Sequence, residues 1–246
     1  MELINCYDDG VRAESYARLQ FANTYHLAFR DLPEIFAQHV QGKRALDFGC
    51  GTGRSTRFLK VCGFDVTGVD IAPPMIEKAL EFDKGGDYRL VEDDDFTSLE
   101  NERSRFDLIF SGFTFDNIGG WDLKVRLFRD LGRLLSASGK IVSIVSAPEI
   151  YTHEWASFST EDYPENRAAK TGDIVRIITT DIADRRPAED ILWRDEDYIE
   201  VYKRASLGVV ARFKPLATGD EPYSWVNETT IAPWVIYVIA RCSNAK

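Results

Sequence analysis

Residues 45–55 read ALDFGCGTGRS, an apolar run that closes with glycines at 49, 51 and 53. Glycine weakens any regular element it occupies, so three at alternate positions behind a strand-like segment mark a turn whose bare backbone passes close to something. Around this turn the chain alternates. RALDFG, FDVTGVDI, YRLVEDD, FDLIFSGF and KIVSIVSA have the composition of buried strands, while RSTRFLKVCG, PPMIEKALEF and WDLKVRLFRDLGRLL have helical spacing. Gly63 stops the first of these helices, Pro73 and Pro74 open the second where a missing N–H does no harm, and a Ser138-Gly139 turn precedes the fifth strand. Strand-helix alternation calls for right-handed crossovers, hence a parallel sheet covered on both faces.

The rhythm lapses over 149–190, where Pro, Gly, charge and the extended-looking DIVRIITTDI replace a strand-helix unit. It resumes with DEDYIEVYKRA as a helix, LGVVARFKPL as a strand, an irregular stretch at 217–232, and PWVIYVIAR as the closing strand. The expected fold is α/β, a doubly wound, mostly parallel sheet of seven strands in one domain over 1–246. A helical N-terminal cap is expected over 1–41, where Tyr16, Leu19, Tyr25, Leu27, Phe29, Leu32 and Phe36 recur at largely helical spacing. The insertion over 149–190 and the stretch at 217–232 each follow a strand, at the carboxyl edge where open α/β sheets carry their binding loops.

Charge and composition narrow the function. With 40 acidic residues against 30 basic ones, the net charge of −10 disfavours nucleic acid or an anionic membrane as partner. No apolar run is long enough to span a bilayer, and MELINCYDDG has neither part of a signal peptide, so a cytoplasmic location is expected. Cysteines 6, 50, 62 and 242 form no CxxC, and with only three histidines no metal site or disulfide framework is expected.

A glycine turn between strand and helix lets free N–H groups face a ligand, and an acid about 20 residues on can grip a ribose. Asp70 stands 21 positions after Gly49. A dinucleotide fingerprint asks for a small residue at 54, where this chain has Arg54, so NAD fits poorly. The D-x-G-x-G-x-G pattern in LDFGCGTG instead resembles motif I of the class I S-adenosylmethionine-dependent methyltransferases, and the likeness runs over 45–148 and returns at 191–241.

The resemblance implies a Rossmann-like fold with an antiparallel last strand, S-adenosyl-L-methionine as cofactor and S-adenosyl-L-homocysteine as product. It assigns Asp47, Gly49, Cys50, Gly51 and Gly53 to the loop under the cofactor, Asp70 to the ribose diol and Ile71 to the adenine. In VEDDDFTSL it implies that Asp95, or one of its neighbours Asp94 and Asp93, meets the adenine amino group with Phe96 beside the ring, and that Ser111, Gly112 and Phe113 face the sulfur. Tyr25 and Arg30 have the residue types that relatives use to hold the cofactor carboxylate.

The sulfonium activates its own methyl group, so the protein need only align the acceptor, with a general base where the acceptor keeps its proton at neutral pH. His153, just after the fifth strand, is a candidate base, and Asp116 with Asn117 are candidates to orient the acceptor. The expected activity is methyl transfer to a small-molecule acceptor by in-line displacement, carried out by a monomer or homodimer. Three alternatives stand beside it: a protein acceptor, a non-catalytic S-adenosylmethionine-binding protein, and a nicotinamide oxidoreductase.

Overall fold

In the computed structural model, residues 10–91, 99 and 105–242 are described. The alternating segments form β1 (Arg44–Phe48), β2 (Asp65–Asp70), β3 (Asp87–Leu90), β4 (Phe106–Gly112) and β5 (Leu135–Ser146), joined by α4 (Arg54–Val61), α5 (Pro73–Phe82) and α6 (Trp121–Leu134). Ahead of them lie α1 (Gly10–Ala17), α2 (Thr24–Phe29) and α3 (Leu32–His39). The insertion contributes β6 (Phe158–Ser159), β7 (Ile174–Thr179) and β8 (Ala188–Ile191), and the chain closes with α7 (Asp195–Arg204), β9 (Leu207–Phe213) and β10 (Trp234–Arg241).

The main sheet has seven strands in the order β3-β2-β1-β4-β5-β10-β9. The first five strands of the chain pair in parallel, and the last, β10, runs antiparallel between β5 and β9. Strand order reverses between β1 and β4, so the connections leaving their carboxyl ends diverge and open a crevice there. Alternate strand residues supply two cores. Ala45, Leu108, Phe110, Val142 and Ile144 pack under the N-terminal helices and the insertion, while Leu46, Ile109, Ile141 and Val145 pack against α6 and α7. Each such Val, Leu, Ile or Phe side chain, fully buried, contributes about 2 kcal/mol, and Ala45 less.

Two local expectations change. Ser138-Gly139 is not a turn between helix and strand, because β5 begins at Leu135 directly after α6. The ladder instead shifts register there, with Phe106 opposite Leu135 but Leu108 opposite Lys140, and the surplus residues bulge. Gly139 sits where a Cβ would lie 2.6 Å from the Phe106 carbonyl oxygen. The insertion is more regular than its composition suggested, for β6, β7 and β8 form an antiparallel sheet of their own. Burial alternates along β7, so the extended-looking DIVRIITTDI does form a strand, with Val175, Ile177 and Thr179 facing the core.

Three separate stretches of chain meet at one buried carboxylate. Glu228, fully buried, accepts the Thr24 hydroxyl at 2.6 Å and the Ala156, Val226 and Asn227 N–H groups at 2.8, 2.8 and 3.1 Å. Thr24 and Ser157 exchange two further bonds, and the Trp234 indole N–H donates to the Thr24 carbonyl. Helix α2, the insertion and the stretch before β10 are thereby held together above the sheet edge. Glu228→Ala strands four donors and is expected to lower unfolding stability by about 3 kcal/mol. Denaturant titration of the two proteins measures the difference.

Candidate active site

A cavity of about 270 Å³ opens above the crevice between β1 and β4. Its floor is the glycine turn. Gly49, Gly51 and Gly53 all have positive φ, at 73°, 53° and 74°. The turn is held by the Gly49 and Cys50 N–H groups, each 2.9 Å from the Val69 carbonyl. Asp70, at the end of β2, accepts the Gly51 N–H at 2.8 Å on one carboxylate oxygen and the Ala72 N–H at 3.0 Å on the other. The loop and the second strand end are therefore one hydrogen-bonded unit.

The glycines have different reasons to be glycine. A Cβ on Gly49 would stand 2.1 Å from the Thr114 hydroxyl, and one on Gly53 would stand 2.6 Å from the Tyr88 hydroxyl, so protein side chains crowd both. Gly51 meets nothing within 4 Å and lines the cavity with bare backbone.

Of the residues expected from the sequence, Tyr25, Gly49, Cys50, Gly51, Asp70, Ile71, Gly112, Phe113, Asp116 and Asn117 line this cavity. Asp47, Gly53, Arg30, Ser111 and His153 do not. Asp47 is fully buried and accepts the Ser55 and Thr56 hydroxyls at 2.6 and 2.7 Å, which pins the start of α4 to β1 beneath the loop. Arg30 is held at the surface by Asp31 and Glu221, both within 2.8 Å. Ser111 is buried within the sheet. His153 turns its Nδ1 toward the Thr152 hydroxyl and the Glu149 carbonyl, both at 3.1 Å, away from the cavity. Asp93, Asp94, Asp95 and Phe96 lie outside the described residues.

Several lining residues were not singled out from the sequence. Arg54, the first residue of α4, places its guanidinium 4.8, 4.9 and 5.9 Å from the ring centroids of Phe21, Tyr25 and Phe29. It donates to the Gln20 carbonyl at 3.0 Å and has no carboxylate partner among the described residues. Its place directly after the glycines was the available signal. Phe113, which the sequence did single out, has φ of +66°, a strained conformation for a bulky residue, and its ring lies 4.7 Å from Trp234 and 5.8 Å from Tyr25.

Ser146, Tyr151, Asp116 and Asp190 also line the cavity. Asp116 accepts the Ser146 N–H and hydroxyl at 3.0 and 2.9 Å and the Tyr198 hydroxyl at 3.4 Å. Asp190, on β8, accepts the Tyr151 hydroxyl at 3.0 Å. Lys124 is fully buried behind them and donates to the Phe115 carbonyl, with its ammonium 4.5 Å from the Trp193 ring centroid. Burial drives both carboxyls well above the usual range, with the Asp190 charge reinforcing the effect on Asp116, and it drives Lys124 down.

The parts match a nucleoside sulfonium. Gly51 gives a close backbone approach, Asp70 a carboxylate for a diol, Ile71, Met75 and Val91 an apolar wall, and Arg54 a cation without an anion. The fold and this arrangement define an α/β enzyme scaffold that binds a nucleoside cofactor at its strand-order reversal. Residues 19–207 match the family model described as a methyltransferase domain. The chain belongs to that family, within the class I S-adenosylmethionine-dependent methyltransferases, whose cofactor is S-adenosylmethionine.

An uncharacterized methyltransferase of Bacillus licheniformis is 32% identical over 140 residues, covering 56% of this chain and 61% of that protein. The chain spans about three fifths of the length of such curated relatives. Among solved structures, the CcbJ methyltransferase of Streptomyces caelestis has a TM-score of 0.67 at 17% identity, over 96% of this chain and 98% of that one. An S-adenosylmethionine-dependent methyltransferase of Clostridium acetobutylicum has a TM-score of 0.62 at 13% identity, over 97% of this chain and all of that one. Among the described residues no helix is long and apolar enough to cross a membrane.

Burial raises the Asp47 carboxyl from 3.8 to about 6, an effect that the Ser55 and Thr56 hydroxyls only partly offset. The folded state therefore holds a proton that the unfolded state has already lost in this window, so Asp47 makes the fold less stable as pH rises through it, by up to about 3 kcal/mol. Asp47→Asn, with no proton to lose, is expected to flatten this part of the stability profile. Denaturation midpoints measured from acid to neutral pH test the sign.

Proposed function

We propose that this chain transfers the methyl group of S-adenosylmethionine to a small-molecule acceptor. The observation that carries this reading is the lining of the cavity: bare backbone at Gly51 shares a space of about 270 Å³ with side chains of the insertion and β10. A space of that size suits a compact acceptor better than a polymer, and the net charge of −10 works against nucleic acid. Free thiols at Cys50, Cys62 and Cys242 support a reducing compartment, the cytoplasm, as its place of action.

When bound, the sulfonium cofactor supplies an activated methyl group and leaves as a neutral thioether. Asp70 would hold the ribose diol through carboxylate oxygens already oriented by Gly51 and Ala72. Arg54, poised over Phe21 and Tyr25, would take the amino-acid carboxylate. Tyr25, Phe113, Phe158 and Trp234 wall the middle of the cavity, where they exclude water and favour a cation by their ring faces. With alignment and dehydration supplied this way, the protein's remaining task is to place the acceptor and receive its proton.

The reading is tested by incubating the protein with S-adenosylmethionine and fractionated metabolite extracts, and following S-adenosylhomocysteine. Release with at least one fraction is expected; tight cofactor binding with no release from any fraction would make this a non-catalytic binding protein. Calorimetry tests the two cofactor-holding side chains separately. Asp70→Ala is expected to weaken S-adenosylhomocysteine at least ten-fold, about 1.4 kcal/mol. Arg54→Met is expected to weaken it by a similar factor while leaving 5′-methylthioadenosine, which lacks the carboxylate, unchanged.

A further inference from the structure

The cavity is lined by one polar group that the cofactor does not explain. Asp190 is 91% buried, since only 9% of its surface is exposed, yet it is one of the residues lining the cavity. Its Oδ2 accepts the Tyr151 hydroxyl at 3.0 Å, whereas its Oδ1 has no hydrogen-bond partner among the described residues. Asp116 differs: its carboxylate is occupied by Ser146 and Tyr198. A carboxylate oxygen of a largely buried side chain that lines the cavity, with no protein donor of its own, is left to accept one from whatever enters.

The surroundings say what kind. Three charged groups lie close to Asp190, while β7 sets Val175 opposite it. Asp116 lies on the turn after β4, Lys124 on α6, and Arg12, which donates to the Pro187 carbonyl just ahead of β8, on α1. Two acids are thus matched by two cations, and an entering anion would add uncompensated negative charge beside buried carboxylates. The approach to Asp190 is aromatic. Tyr25, Phe158 and Trp234 line it with ring centroids 5.1 to 5.9 Å apart, the spacing of edge-on and stacked aromatic contacts.

Resting on the reading of a small-molecule acceptor, we propose that Asp190, oriented by Tyr151, is the group that recognises and deprotonates the acceptor, which is an uncharged aromatic molecule bearing a hydroxyl or amine proton. The acceptor heteroatom donates that proton to Asp190 Oδ1. As its lone pair forms the new bond to the methyl carbon, the carbon–sulfur pair returns to sulfur, and the heteroatom–hydrogen bond breaks with the proton passing to the carboxylate. Tyr151 is a positioning residue, holding the far oxygen so that Oδ1 points into the cavity. The raised affinity of the Asp190 carboxyl for protons, caused by burial, suits it to this task.

The test uses the full chain saturated with S-adenosylhomocysteine, whose own titration reads the cofactor site alone and so separates failure of that reading from failure of this one. Three probes of one shape are titrated by calorimetry: 2-naphthol, its methyl ether and 2-naphthoate. The expected result is binding of 2-naphthol at least ten-fold tighter than its ether, no measurable binding of 2-naphthoate, and loss of the naphthol preference in Asp190→Asn with cofactor affinity unchanged. Excited 2-naphthol is a strong acid that passes its proton to bulk water or to an adjacent base, so with the emission of free probe subtracted, bound probe is expected to emit as naphtholate in the wild type and as naphthol in Asp190→Asn. Equal binding of naphthol and ether, naphthoate binding as tight as naphthol, or no naphthol binding by the wild type overturns the proposal. So does naphtholate emission that survives Asp190→Asn. The wild-type comparison stands on its own should the variant fail to fold.

Discussion

The site depends first on a carboxylate held at the end of a strand. Asp70 bridges the Gly51 and Ala72 N–H groups, so the loop leaving β1 and the turn leaving β2 cannot move independently. Both anchored oxygens lie at the edge of a crevice that the reversal of strand order had already opened. Below them, the Asp47 carboxylate and the hydroxyls of Ser55 and Thr56 fix the first turn of α4, and with it the direction in which Arg54 leaves the helix. A floor of bare backbone, an acid at its rim and a cation opposite follow from three short hydrogen-bonded joints.

The roof is assembled from pieces far apart in the chain. Glu228 collects donors from α2, the insertion and its own loop, and this brings Tyr25, Phe158 and Trp234 together around the middle of the cavity. Burying one carboxylate among four donors costs desolvation, but it gives the aromatic wall a single arrangement. Elsewhere in the lining the same economy of charge recurs. Asp116 and Asp190 are tolerated because Lys124 and Arg12 lie close by, and their elevated proton affinities are the residue of an incomplete match.

Much of the fold was legible because local patterns carried it. Strand-helix alternation, the prolines opening α5 and Gly63 ending α4 are short-range signals, and all seven strands of the main sheet fall where the apolar runs lie. The turn assigned to Ser138-Gly139 failed because a bulge and a turn share the same small residues, and only pairing with β4 tells them apart. The site was legible unevenly. Gly51 and Asp70 meet in the structure because their separation is set by one strand-helix-strand unit, whereas Arg30 and His153 had suitable chemistry but neighbours that claimed it, Asp31 and Glu221 for one, Thr152 and Glu149 for the other.

From the sequence alone came the class of sheet, the position of the loop and the acid that faces it, since periodicity and spacing act over a few residues and survive any packing. The three-dimensional fold alone decided that Asp190, from a segment with no readable motif, lines the cavity close to Asp116, and that Glu228 gathers the roof. Those pairings span tens to hundreds of positions, and no local pattern encodes them. They arise when the insertion docks and its buried polar atoms take the only partners left within reach.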